Sequence, residues 1–127
     1  MLTVLIADDE PSVIDLVRVT IEDERVRVVD ASDGGSALAV AAAFRPGLVL
    51  LDVQLPDMSG LEVCRRLTSE PEFASPRVVM LTAAAQADDI ARGLAAGATL
   101  YLTKPFSPVR LLSLVERLLP EATWPRA

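Results

Sequence analysis

The sequence predicts an α/β domain, a doubly wound (βα)5 arrangement around a five-stranded parallel sheet. Three observations predict it. Short, continuous apolar runs recur along the chain: Thr3-Val-Leu-Ile-Ala7, Gly47-Leu-Val-Leu-Leu-Asp52, Val78-Val-Met-Leu-Thr82 and Leu100-Tyr-Leu-Thr-Lys104. Runs of that kind are what strands buried on both faces require. Between them lie stretches with apolar residues at helical spacing. The alternation repeats five times, and repeated strand–helix units build a parallel sheet with helices on both faces.

The first strand, within residues 3–7, runs into Asp8-Asp9-Glu10. Residues 11–24 then carry Val13, Ile14, Val17 and Ile21 on one helical stripe, with Pro11 suited to the first turn. A short second strand covers residues 26–30. Residues 33–44 are Ala-rich and helical, with Asp33 or Ser32 as the cap. Arg45-Pro46-Gly47 breaks that helix before the third strand, which ends at Asp52. A loop with Pro56-Asp57-Met58-Ser59-Gly60 leads to a helix over residues 61–67. Residues 70–76 form a polar, proline-bearing connection to the fourth strand. A helix over residues 87–96 is ended by Gly97, a natural C-terminal residue. The fifth strand contains residues 100–102, and residues 107–119 form the last helix, closed by Pro120. Residues 1–120 thus read as one domain and residues 121–127 as a short tail.

With 127 residues the chain holds a single compact domain. Its mean hydropathy of +0.38 implies a substantial core. The net charge of -6 argues against a direct nucleic-acid binder, which needs clustered Lys and Arg. No apolar run reaches membrane-spanning length, and no basic lead-in marks a signal peptide. A single cysteine, Cys64, cannot form an internal disulfide, which fits a cytoplasmic location. The absence of His excludes His-based acid–base catalysis and, with one Cys, a zinc site.

In parallel sheets of this type the residues at the carboxyl ends of the strands share one crevice, where ligands bind. Asp8, Asp9 and Asp52, the Thr82 hydroxyl and the Lys104 ammonium meet there. Each has an ordinary explanation alone: acids favour helix N-termini, Asp ends strands, and lysines are solvated. Together, three carboxylates at one edge repel one another unless a cation lies between them. Hard oxygen donors with room left for water and phosphate are what magnesium prefers. Lys104 can pair with a carboxylate and then with a phosphoryl oxygen as a point charge. The bond before Pro105 is a candidate cis peptide.

At these residues the chain resembles the receiver domain of two-component response regulators, from Thr3 to about Leu119. The matching pieces are Ala7-Asp8-Asp9-Glu10-Pro11, Leu50-Leu-Asp52-Val-Gln-Leu-Pro-Asp-Met-Ser-Gly60-Leu, Met80-Leu-Thr82-Ala83-Ala84, Gly97-Ala98 and Tyr101-Leu-Thr-Lys104-Pro105-Phe106. Each is weak alone, and all five in register are specific. The resemblance implies a flavodoxin-like fold, Asp52 as phosphoacceptor, and Mg2+ held by Asp9, Asp52 and the backbone carbonyl of Gln54, with Asp8 acting through a bound water. It further implies that Thr82 and Lys104 contact the phosphoryl group, with Thr82 and Tyr101 as switch residues. The positions that tune phosphoryl lifetime would be Gln54 and Ala84. The implied role is signalling rather than enzymatic turnover. The phosphodonor would be a sensor histidine kinase or a histidine phosphotransfer protein, and the recipient of the signal an effector protein or a detached output domain.

Two other readings fit less well. An aspartate-based phosphatase of the haloacid dehalogenase type resembles Asp-x-Asp, and Gln54 stands where the second acid belongs. A receiver-like interaction module that ignores phosphorylation usually lacks an acid, the Thr or the Lys, and this chain has all of them. A P-loop is absent. Receivers that dimerise through the fourth helix, fifth strand and fifth helix usually carry paired acids in the turn and a Glu on the last helix. Here Ala98-Thr99-Leu100 and Arg110 stand there, although Arg92 fits. A homodimer stays open, with Val109, Leu114 and Trp124 as contact candidates. Leu16 and Val19 lie off the apolar stripe of the first helix, and the resemblance reads them as a docking surface for the phosphodonor.

Overall fold

The computed structural model describes residues 2–83 and 87–119. Ala84, Pro120, Trp124 and the proposed tail lie outside the described residues. Within them, elements alternate as β1 (Leu2–Ala7), α1 (Pro11–Ile21), β2 (Val26–Ala31), α2 (Gly34–Phe44), β3 (Leu48–Asp52), α3 (Gly60–Ser69), β4 (Arg77–Ala83), α4 (Ala87–Ala95), β5 (Leu100–Lys104) and α5 (Pro108–Leu118). The strands form one sheet in the order β2-β1-β3-β4-β5, every pair parallel. This is the doubly wound arrangement expected. Its strand order reverses between β1 and β3, and that is where a crevice opens.

Strand alternation explains the two-sided core. Val4 and Ile6 of β1, Leu48 and Leu50 of β3, and Val79 and Leu81 of β4 point to one face. They pack there with Val17 and Ile21 of α1 and Leu111, Val115 and Leu118 of α5. The intervening Leu5, Ala7, Val49, Leu51, Val78 and Met80 point to the other face. They meet Ala37, Leu38 and Ala41 of α2 and Val63, Cys64 and Leu67 of α3. Both faces of the central strands are therefore dry, which is why those strands read as unbroken apolar runs. Burial pushes the Cys64 thiol up to about 11, so it is an inert core residue.

Several boundaries differ from the sequence expectation, each for a local reason. Helix α1 ends at Ile21 rather than Glu24. Asp23 Oδ1 accepts from the backbone N–H groups of Arg25 and Val26, a turn that competes with helix continuation. The polar connection of residues 70–76 contains a 3-10 turn, Pro71–Phe73, that buries Phe73. Of the two candidate caps of α2, Asp33 is the one used: its side chain accepts from Ser36 N–H at 2.7 Å. Ser59 caps α3 and Ser107 caps α5. Gly97 follows α4 at φ 107, a left-handed conformation that disfavours side chains. The Lys104–Pro105 bond is cis, as the sequence suggested.

Strand β2 forms one edge of the sheet, and α1 covers it with charge. Arg18 Nη1 donates to the Val28 carbonyl at 2.8 Å, and Glu22 Oε2 accepts from the Val28 N–H at 3.0 Å. Arg18 also pairs with Glu22 and Asp30. Val19 is 84% exposed, whereas Leu16 packs partly against the core, so only Val19 stands clear of the helix's apolar stripe. Likewise Val109 is exposed while Leu114 is partly covered. Among the described residues no helix is long and apolar enough to cross a membrane.

Candidate functional site: an acidic pocket bridged by lysine

Adjacent strands β1 and β3 deliver Asp8 and Asp52 to the same edge, and β5 brings Lys104 to it from the far side of β4. Lys104 Nζ lies 2.7 Å from Asp8 Oδ2, 3.2 Å from Glu10 Oε1 and 3.4 Å from Asp52 Oδ2. One ammonium thus bridges three carboxylates. The Asp8 side chain is wholly buried, while those of Asp52 and Lys104 are 13% and 18% exposed. Asp8 Oδ2 has the Lys104 ammonium as its ionic partner and makes no further hydrogen bond among the described residues. Asp8 Oδ1 is satisfied by the backbone N–H of Glu10 at 2.9 Å.

Electrostatics sets the charge states. Burial raises the Asp52 pKa above the ordinary aspartate value, and the nearby Asp8 charge adds to this. The N–H of Gln54, donating to Asp52 Oδ1 at 3.1 Å, and the Lys104 ammonium work in the opposite direction. Burial also opposes the charged form of Lys104. The carboxylates of Asp8, Asp52 and Glu10 outweigh it and hold its pKa above that of free lysine. An ion pair this dry persists across the physiological range.

Glu10, Asp52 and Lys104 line a pocket of about 520 Å³ together with Asp9, Gln54 and Thr82. Thr82 is buried, and its hydroxyl makes a 3.3 Å contact to the Ala83 carbonyl. Of the residues expected from the sequence, Asp8, Asp52 and Lys104 make direct ionic contact, and Asp9, Gln54 and Thr82 share the pocket. Tyr101 does not line it; its side chain is 42% exposed.

Two residues with clear roles in this arrangement were not singled out by sequence reasoning. Glu10 joins the Lys104 cluster, although a Glu before a helix reads as a helix-dipole partner. It makes no side-chain cap bond to α1. The second is Asp57, whose carboxylate accepts from the N–H groups of Gly34 and Gly35 at the start of α2. Those two donors hold its pKa below the usual carboxylate range.

The donor set suits a hard divalent cation. Asp8, Asp9 and Glu10 each offer a carboxylate oxygen within 4.8 Å of the others. Asp8 Oδ2 is a buried oxygen paired with Lys104 Nζ at 2.7 Å, and that one ammonium is shared among the carboxylates of Asp8, Glu10 and Asp52. All ligand atoms are oxygen, and the exposed Asp9 leaves room for water. This is the chemistry Mg2+ selects.

Fold and site together define a doubly wound α/β domain with an acidic, lysine-bridged pocket at its strand ends. The chain belongs to the response regulator receiver domain family, whose model matches residues 4–116, and is thus a receiver of two-component signal transduction. It is 44% identical over 119 residues to a probable transcriptional regulatory protein, TcrX, of Mycobacterium tuberculosis, covering 91% of this chain and 50% of that protein. It is 40% identical over 116 residues to the alkaline phosphatase synthesis transcriptional regulatory protein PhoP of Bacillus subtilis, covering 91% and 48%. The chain spans about half the length of these curated relatives. Among solved structures, the chemotaxis response regulator CheY4 of Vibrio cholerae superposes with a TM-score of 0.85 at 34% identity, covering 94% of this chain and 99% of that one.

Proposed function

We propose that Asp52 is the phosphoacceptor and that its phosphorylation switches a partner-binding surface. The observation that carries this is the position of its carboxylate. It ends a central strand, opens into the pocket, and has Lys104 Nζ 3.4 Å away with Gln54 N–H fixing its other oxygen. A carboxylate oxygen of Asp52 attacks phosphorus, the phosphorus–nitrogen bond of a phosphohistidine breaks, and its electron pair returns to the imidazole. The product is an acyl phosphate. Lys104 offers charge to the incoming phosphoryl oxygens, and Thr82 offers a hydroxyl donor from the neighbouring strand. Catalysis of this kind is positioning plus electrostatics.

Asp9, Asp52 and the Gln54 backbone carbonyl would hold Mg2+, with Asp8 reached through water and Glu10 available beside them. The ion supplies neutralisation of the transferring charge. After transfer, Thr82 and the exposed Tyr101 form the switch, turning a local charge change into an altered surface. The phosphodonor is a sensor histidine kinase or a histidine phosphotransfer protein in the cytoplasm. The recipient of the signal is an effector protein or an output domain, and the receiver itself, at net charge -6, makes no nucleic-acid contact. Residues 1–120 form the receiver unit.

Intact-mass analysis after treatment with acetyl phosphate and Mg2+ tests this reading. The wild-type chain gains one phosphoryl group and Asp52→Asn gains none. Equal modification of the Asn variant would remove Asp52 from the role.

A further inference from the structure

The loop between β3 and α3 carries groups on which the site depends, and the structure shows how it is held. At its base Gln54 and Ser59 form an isolated antiparallel bridge, and Gly60 N–H donates to the Val53 carbonyl at 2.7 Å. At its tip, Asp57 reaches across to α2. Asp57 Oδ1 accepts from Gly34 N–H at 2.7 Å and Oδ2 from Gly35 N–H at 2.9 Å. Met58 lies over the same helix start. A side chain at Gly34 would overlap Met58 Cγ and come within 2.6 Å of its Sδ, so that glycine is what lets the loop sit this close.

From this we infer that Asp57 is a positioning residue: by latching the loop to α2 it fixes the Gln54 backbone in the pocket, and so sets the affinity of the site for a divalent cation. The inference rests on the reading of Gln54 as a metal-binding position. Asp57 is solvent-exposed and does not line the pocket, so it acts through the loop rather than by contact. Its partners are the otherwise unpaired N–H groups of a helix N-terminus, which hold a carboxylate firmly. Without them the segment between Asp52 and Gly60 keeps its base bridge and the Met58 packing but loses its only side-chain hydrogen bonds to α2 among the described residues. The Gln54 N–H that orients Asp52 is then less well placed too. Groups that orient metal ligands from outside the contact layer typically alter affinity about tenfold or more.

Because loss of Asp57 also uncaps α2, the control is Asp33→Ala. That change removes the other side-chain cap of the same helix, on Ser36 N–H, without touching the loop. Mn2+ binding to the full chain, followed by electron paramagnetic resonance at a temperature where circular dichroism shows every variant folded, supplies a readout independent of phosphorylation. The expected result is a dissociation constant raised roughly tenfold in Asp57→Ala, a smaller rise in Asp57→Asn, which keeps one acceptor oxygen, and little change in Asp33→Ala. Equal shifts in Asp57→Ala and Asp33→Ala, or none in either, overturn the inference while leaving the metal site intact. No Mn2+ binding by wild type, or binding unaffected by Asp9→Ala, overturns the underlying metal reading and the inference with it.

Discussion

Gly60 opens α3, where helix preference alone favours alanine by up to about 1 kcal/mol. The structure argues for the opposite sign. A methyl group at Gly60 would overlap the Asp52 carbonyl oxygen and lie 2.9 Å from the Asp52 carbonyl carbon and 3.0 Å from Val53 Cα. These are backbone atoms of the β3 terminus, with no rotamer to change, so relief requires the chain to move. Overpacking of that kind costs about 3 kcal/mol, the upper part of its usual range. Setting helix preference against it leaves Gly60→Ala less stable by about 2 kcal/mol, and for a domain of this size Tm falls by roughly 6–8 °C. Gly47→Ala is the companion measurement: its methyl would meet only Leu119 Cδ2, at an ordinary 3.6 Å. It should be neutral or gain up to about 1 kcal/mol from a stiffer unfolded chain. Thermal unfolding by circular dichroism reads both. Because Gly60 presses on the residue bearing the phosphoacceptor carboxylate, phosphorylation of Gly60→Ala by acetyl phosphate should also slow by roughly tenfold, as small misplacements of a reacting group do. A Tm for Gly60→Ala equal to or above wild type would refute the packing argument.

Three further outcomes follow from the charges. Asp52 has a raised pKa in the folded chain, so the folded state binds its proton more tightly than the unfolded state does, and its contribution to stability falls as pH rises from the unfolded value, about 3.9, through the folded one. In chelated buffer Asp52→Asn should therefore melt higher than wild type at pH 7, with the gap closing below about pH 4; a lower melting point at pH 7 contradicts this. Lys104→Ala leaves Asp8 buried without its counter-charge, a loss of about 3 kcal/mol by analogy with broken buried pairs, and thermal melts in chelator should show it, with Mg2+ restoring part. Mg2+ should raise the wild-type Tm by linkage, and Asp9→Ala should abolish more of that gain than Asp8→Ala; equal losses in a melting-temperature titration would reverse the assignment of direct and water-mediated roles.

Most of the fold is legible in the sequence because doubly covered strands leave no choice of residue. Val4 and Leu5, or Leu50 and Leu51, point to opposite faces and are equally dry, so the strand appears as an uninterrupted apolar word. Asp8, Asp52, Thr82 and Lys104 are legible for a related reason: each breaks such a word at the end where strands share an edge. Glu10 and Asp57 are harder. The side chain of Glu10 goes to Lys104, 94 residues away, rather than to the helix it precedes. Asp57 sits in a turn sequence that explains itself locally, and nothing within it names Gly34 and Gly35 as partners. The end of α1 is missed because Asp23 prefers its own following N–H groups to another helical turn. Local chemistry reads forward along the chain, and contacts across the sheet do not.

The charged cover over β2 has a consequence for how copies of this domain can meet. Adding a strand to a sheet needs free N–H and C=O groups along an edge. At Val28 both groups are already occupied by Glu22 and Arg18, so an incoming strand would have to displace an ion-paired network before forming its first bonds. Strand β2 is therefore guarded at Val28, midway along its edge. A head-to-tail filament needs two receptive edges per molecule, one to give and one to receive, whereas pairing through a single edge closes on itself after two. The ion-paired cover at Val28 therefore disfavours β2 as one of those edges, and it consists of three side chains, Arg18, Glu22 and Asp30. Neutralising them together would free the Val28 N–H and C=O for strand addition.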